Sequence, residues 1–297
     1  MDEIKEAIEA VKSMAKPESN VTLFKYRAIN MNLLTMLNQK NLYFAPPAKL
    51  NDPFDCQIDV LKALEVALER KDCQHRSNLE KLNNFFPELV RLESQFNEHG
   101  VCSFSTNIFS NLMWSHYGSN HSGVCLIFSF PAEYIKSIPD YCGLLDVGYS
   151  SYGLRKWFGM DGGQYLENLD ATLPEDFVVA LRNNFLSTKS KEWHYEEEVR
   201  LVRTTSGPVS FDAAYLKGVC FGLGTSLEDI ALVKSVLSSN GYDVQFYKLA
   251  NGKGDFELQI EGHDPYMKFD GIHFPFAHRA QHGFTEMLKR ENIRGKL

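Results

Sequence analysis

The run Tyr195-Glu196-Glu197-Glu198-Val199-Arg200 sets two carboxylates and a guanidinium at alternate positions. Side chains of a strand alternate between faces, so if the run is a strand, Glu196, Glu198 and Arg200 fall on one face and Glu197 and Val199 on the other. Such a trio suits acid–base chemistry: Arg200 holds one glutamate ionised while the other is raised. The plainer alternative is a solvated edge strand with a surface ion pair of little worth. Trp193 and Tyr195 favour a cleft, because bulky rings beside carboxylates line binding sites more often than open surface.

Three other groups could take part. In Lys25-Tyr26-Arg27, at the end of an expected first strand, the arginine could clamp a phosphate or carboxylate with two parallel bonds. It could equally pair with Asp52 or Asp55 to hold a turn. Ser103 and Ser105 share a strand face in Ser103-Phe104-Ser105-Thr106-Asn107. Trp114-Ser115-His116-Tyr117 could wall an aromatic pocket, or supply a core tryptophan and a hydrogen-bonded histidine. The histidines show no metal-ligand spacing, so no metal is expected. Asp52 and Asp55, within Asn51-Asp52-Pro53-Phe54-Asp55, suit a structured turn better than a cation site.

The elements that must position these groups can be read from periodicity. Strands are expected at 21–27, 42–45, 101–105, 123–130, 144–149, 197–203 and 218–221, with a hairpin about Asn251-Gly252. Helices are expected after Asn30, at 111–117, at 177–185 and at 226–238. The charged stretch 60–98 reads as a helical insertion. The glycine- and tyrosine-rich stretch 150–174 reads as a loop. Residues 1–20 read as an N-terminal helix and 276–297 as a basic C-terminal helix, leaving 21–275 as a single α+β domain. No alternating βαβ series appears, which argues against a doubly wound parallel sheet.

Composition narrows the class further. With 31 Lys+Arg against 38 Asp+Glu, the net charge of −7 disfavours coating nucleic acid by bulk charge. Six cysteines, none in a C-x-x-C pair, are expected reduced and structural, as in a cytoplasmic protein. No apolar run approaches a membrane span.

Taken in order, Lys25-Tyr26-Arg27, Leu42-Tyr43-Phe44, Asn51-Asp52-Pro53-Phe54-Asp55, Trp114-Ser115-His116-Tyr117 and Trp193-x-Tyr195-Glu196-x-Glu198-x-Arg200 resemble a bacterial family of unknown function. More distantly, the layout resembles the ADP-ribosyltransferase superfamily, including its DNA-modifying toxin branch. There a strand bearing Arg or His leads into a helix, a Ser or Tyr motif precedes another, and a late strand carries Glu-x-Glu. Arg27, Ser103-Phe104-Ser105-Thr106 and Glu196-x-Glu198 stand in that order. Phe104 between the serines, the 60–98 insertion and the nearness of Arg200 to the glutamates depart from the pattern.

The resemblance implies a split mixed β-sheet core with a helical insertion, and NAD as the substrate. Glu198 would stabilise positive charge developing at the ribose, and Glu196 would orient or deprotonate the acceptor. Arg27, with Tyr26 beside it, would bind the pyrophosphate. Ser105, with Ser103, would hold the ribose or support Glu198. Tyr43, Trp114 or Tyr117 would stack on nicotinamide, with His116 in the same wall. The acceptor would be a macromolecule, protein or nucleic acid, with a regulatory partner and a toxin or phage-defence role as further expectations. Two other readings stand beside this one: a non-enzymatic partner-binding module on a degenerate fold, and a metal-dependent hydrolase or nuclease.

Overall fold

The computed structural model describes residues 20–252 and 257–261. The helix expected at 276–297, and all but the last residue of the one expected at 1–20, lie outside these residues. The first half of the chain forms β1 (Val21–Arg27), α1 (Met31–Gln39), β2 (Asn41–Phe44), α2 (Val60–Glu69), α3 (Arg76–Glu80) and α4 (Phe86–Asn97). It continues with β3 (Gly100–Ser105), α5 (Asn111–His116), β4 (Val124–Phe130), α6 (Ala132–Ser137), β5 (Tyr141–Asp146) and β6 (Gly148–Tyr149). The second half forms α7 (Gly153–Met160), α8 (Glu175–Ser187), β7 (Thr188–Lys189), β8 (Glu198–Arg203) and β9 (Gly207–Ser210). It ends with β10 (Leu216–Phe221), α9 (Leu227–Ser239), β11 (Gln245–Asn251) and β12 (Leu258–Ile260).

The starts of the helices follow from side chains that accept otherwise orphaned N–H groups. Asn30 accepts from Leu33 N at α1, Ser110 from Met113 N at α5, and Ser226 from Asp229 N at α9. Lys40, at φ 53°, ends α1 in the left-handed conformation and turns the chain directly into β2.

Eight strands make one mixed sheet in the order β12-β11-β10-β4-β1-β3-β8-β5. Every neighbouring pair is antiparallel except β10 and β11. The architecture is α+β. The join between β1 and β3 is narrow: Phe24↔Ser105 is their one registered pair, whereas β1 pairs with β4 from Val21↔Phe130 to Arg27↔Val124.

Strand alternation sorts the core into faces. Leu23, Leu126, Phe128, Val199 and Leu201 pack on one face, with α1 and α9 supplying Leu33, Leu37, Val233 and Leu237. On the other face, Phe24, Tyr26, Cys125 and Ile127 pack with Trp114 of α5. Further along that face, Val101 and Val202 meet Leu64, Leu92 and Phe185 from α2, α4 and α8. The helices of 60–98 therefore contribute to a second core rather than hanging free.

The stretch 150–174 corrects the expectation of a loop: it forms α7 and a 3-10 turn at Gly162–Leu166. Leu154, Trp157 and Phe158 recur at helical spacing and are buried, and Trp157 packs on Phe177 with ring centroids 5.8 Å apart. Burial of these rings outweighs the glycines. All six cysteines are free. Among the described residues, no helix is long and apolar enough to cross a membrane.

Candidate active site

Glu198 and Arg200 project from β8 onto the second face, opposite Ser105 and Ser103 of β3 in register. Glu196 reaches the same place by another route. It ends a 3-10 helix (Lys191–Glu196), and Glu197, at φ 43°, turns the chain left-handedly into the strand. The strand expected at 197–203 starts one residue later, at Glu198, so Glu196 does not alternate along a strand with Glu198 and Arg200. A left-handed residue between the glutamates still brings both side chains to one buried cluster.

The cluster is an ion network. Arg200, 0% exposed, donates from Nε to Glu198 Oε1 at 2.9 Å and from Nη2 to Oε2 at 3.0 Å. It also holds Asp55 through two contacts of 2.5 and 3.0 Å and donates to the Leu186 carbonyl at 2.7 Å. Lys189 donates to Glu196 Oε2 at 2.6 Å and lies 3.5 Å from Glu198 and 3.4 Å from Asp55. Its ammonium sits 4.8 Å from the centroid of the Trp193 ring. Three carboxylates therefore share two cations.

That imbalance separates the two glutamates, which are 3% and 7% exposed. Burial alone would raise the Glu198 carboxyl, but Arg200, Lys189 and the Ser103 hydroxyl outweigh it and hold it at about 2. Glu196 moves the other way. Burial raises it, repulsion from Glu198 adds to this, and Lys189 and Tyr117 only partly compensate. One carboxylate is locked ionised beside another that binds a proton more readily than usual.

A route to the surface starts at Glu196. Tyr117 donates to Oε1 at 2.5 Å, and the exposed Asn51 donates to the Tyr117 oxygen at 2.6 Å. Burial and the bond to Glu196 push the Tyr117 hydroxyl far above its ordinary range, so it remains a donor. Beside this route His116, Tyr195 and Trp193 form a row of tilted rings, with centroids 5.8 and 6.0 Å apart.

The other predicted residues fall in different places. Ser105 supports the backbone, donating to the Glu196 carbonyl at 2.7 Å. Tyr26 lies on the carboxylate face, but its hydroxyl is bound to the Asn107 carbonyl at 2.7 Å and its ring meets Trp114 edge-on. Trp114 is 0% exposed, and its Nε1 donates to the Ile108 carbonyl at 2.8 Å. It is a core anchor with no face free for a ligand ring, which corrects its place as a stacking residue. Tyr43 is exposed on β2, in a separate two-stranded pairing with β9.

Arg27 is not brought to the glutamates. It pairs in register with Val124, on the first face, whereas Phe24, Ser105 and Glu198 are registered neighbours on the second. Asp55 instead takes Arg200, which corrects the alternative of an Arg27–Asp55 pair. Asp52 closes its own turn by accepting from Phe54 N at 3.0 Å. Asp55 faces two cations, Arg200 and Lys189. Among the described residues, no group of three or more His, Cys, Asp or Glu could hold a metal ion.

Sequence reasoning missed Lys189, Tyr149 and Asn51 as parts of this site. Tyr149 accepts from Glu198 N at 2.8 Å. Lys189 stands in a short run of lysines and serines that carries no motif.

Fold and site together define an α+β protein with a buried carboxylate–cation network opening through a tyrosine. Residues 113–201 match a family described as a protein of unknown function (DUF2971). The match takes in Tyr117, Lys189, Glu196, Glu198 and Arg200, and leaves β1 and Asp55 outside. No curated protein and no solved structure matches the chain.

Proposed function

We propose that this protein is an NAD-consuming ADP-ribosyltransferase that acts on a macromolecular acceptor, with a toxin or phage-defence role. The observation that carries the reading is the unequal partnering of two buried glutamates in one network: Arg200 binds Glu198 through two bonds, while Glu196 has only Lys189 and Tyr117, which displaces the two carboxyls in opposite directions. Cleavage of nicotinamide from the ribose builds positive charge at the anomeric carbon, and an ionised carboxylate stabilises it. Glu198 has the charge for that role. The attacking group must lose a proton as its bond to carbon forms, and Glu196, with its raised affinity for a proton, takes it. Tyr117 and Asn51 mark the side from which substrate reaches the pair. The narrow junction of β1 and β3 supports a sheet that splits at this point.

Three of the expected residues are not at the site. Arg27 lies across the sheet, Trp114 is in the core, and Tyr43 is in the separate β2–β9 pairing. The ring-binding role passes to the row His116, Tyr195 and Trp193.

A second reading has one observation in its favour. Arg200 is fully buried and Asp55 bridges it to Lys189, as in a latch that ties α8 and the Asn51–Asp55 turn to the sheet. In that reading the protein is a non-enzymatic partner-binding module. Nicotinamide release from NAD by the purified protein, with and without cell lysate, decides between them. Release that disappears in Glu198→Gln and survives chelator supports the transferase. Absence of release together with absence of NAD binding by calorimetry supports the module, and release lost in chelator supports a metal-dependent enzyme.

A further inference from the structure

On β1, Lys25 and Arg27 alternate with Tyr26 and share the face of Leu126 and Val124, their registered partners on β4. This is the face opposite the carboxylate network. Lys25 is 7% exposed. Its ammonium donates to the Ser103 carbonyl at 2.7 Å, contacts Cys102 Sγ at 3.5 Å and lies 4.6 Å from the centroid of the Phe104 ring. Arg27 is half-buried, and no described residue accepts a hydrogen bond from its guanidinium. Among the described residues, no carboxylate is ion-paired with either cation.

Two like charges at alternate positions of one strand, one buried and the other half-buried, are an unfavourable arrangement without an anion. Burial lowers both below their ordinary values, and Arg27 lowers Lys25 further. The attraction of Glu198, from the far side of the sheet, is minor beside burial.

We propose that Lys25 and Arg27 form a binding site for the phosphate group of a small molecule, on the sheet face opposite the carboxylate network. The charge on the pair selects the class. A phosphate carries roughly −1.5 to −2 at neutral pH and balances both cations, whereas a carboxylate leaves one uncompensated. The fork of the half-buried Arg27 matches two phosphate oxygens, and Lys25, two positions back on the same face, supplies the second charge. The site does not rest on the roles given to Glu196 and Glu198, and binding tests it without any turnover.

The experiment is thermal unfolding in inorganic phosphate, with chloride and acetate at matched ionic strength. The full-length protein is compared with Arg27→Gln, Lys25→Met and Glu198→Gln. Phosphate is expected to raise the Tm of the wild type and of Glu198→Gln in a concentration-dependent way. Arg27→Gln should weaken that binding roughly tenfold or more, the loss of a charge-assisted bidentate contact. Lys25→Met should also lose the phosphate shift, while being at least as stable as the wild type in chloride, because an uncompensated buried charge has gone. A shift that persists in Arg27→Gln overturns the proposal, since the ion then sits elsewhere. So does an equal shift with acetate, or none with phosphate. A Lys25→Met protein that is destabilised in chloride and still responds to phosphate makes Lys25 structural and overturns it as well.

Discussion

Tyr117 donates its phenolic hydrogen to Oε1 of Glu196 at 2.5 Å, while Lys189 holds the other oxygen at 2.6 Å. The two donors come from separate parts of the chain, β7 and the residue that ends α5, and meet at a carboxylate placed by a left-handed turn. A carboxylate gripped on both oxygens in a buried site is sensitive to the loss of either partner.

Tyr117→Phe removes one donor and leaves Oε1 buried without a replacement. The expected cost is about 1–3 kcal/mol, read as a lower urea midpoint. The bond also favours the ionised form of Glu196, so its loss should raise that carboxyl further. In a transferase, the limb of the pH–rate profile that requires ionised Glu196 should then move to higher pH. An unmoved limb with a lowered midpoint would leave Tyr117 as a structural residue.

Arg200→Met should be among the most damaging single substitutions on β8. It removes the guanidinium between Asp55 and Glu198 and leaves two buried carboxylates facing each other. Breaking a buried pair on one side costs about 3–5 kcal/mol. Arg200→Lys should rescue little, because a point charge cannot meet Glu198 through two bonds and Asp55 at once. Adding Asp55→Asn to Arg200→Met should recover part of the loss. Additive effects in the double-mutant cycle would mean that the two residues do not interact.

Stability should fall in acid through Glu198. Its folded-state carboxyl, at about 2, lies below the ordinary 4.5, so between those values the unfolded chain binds more protons than the folded one. The contribution is fully present above pH 4.5 and is lost as pH falls toward 2, about 3 kcal/mol in all. Glu196 acts in the opposite sense. Its carboxyl is raised, so its contribution declines as pH climbs above 4.5. Urea titrations across pH should show a flatter acid limb for Glu198→Gln and a flatter limb above pH 4.5 for Glu196→Gln. An acid limb unchanged in Glu198→Gln would remove Glu198 as its source.

Much of the sheet was legible in the chain because β1, β4 and β8 are short runs, buried almost throughout and rich in Val, Leu and Phe, and caps such as Asn30 and Ser226 sit next to their helices. The meeting of Glu196 with Glu198 was legible too, though through the wrong geometry. An extended run and a left-handed Glu197 both return alternate side chains to one side. What was not legible is long-range. Asp55 and Arg200 are 145 positions apart, and nothing in either neighbourhood names the other. The side of the sheet on which Arg27 falls depends on its register with β4, which strand spacing alone does not fix. In 150–174 glycine content masked a helical stripe of Leu154, Trp157 and Phe158.

Glu197 supplies a test of how the pair is built. Its side chain points away from the cluster and accepts from Asn107 Nδ2 at 2.8 Å, while its backbone, at φ 43°, is left-handed. A β-branched residue is strained there and glycine is not. Glu197→Val should therefore lose the Asn107 bond and add backbone strain of about 1–3 kcal/mol. Glu197→Gly should lose the bond but relax the turn, for a net change within about 1 kcal/mol. If position alone matters, the valine variant should also lose activity with Glu196 and Glu198 intact, because the turn that sets their spacing is displaced. Equal stability and equal activity in the two variants would show that the left-handed turn does not place the glutamates.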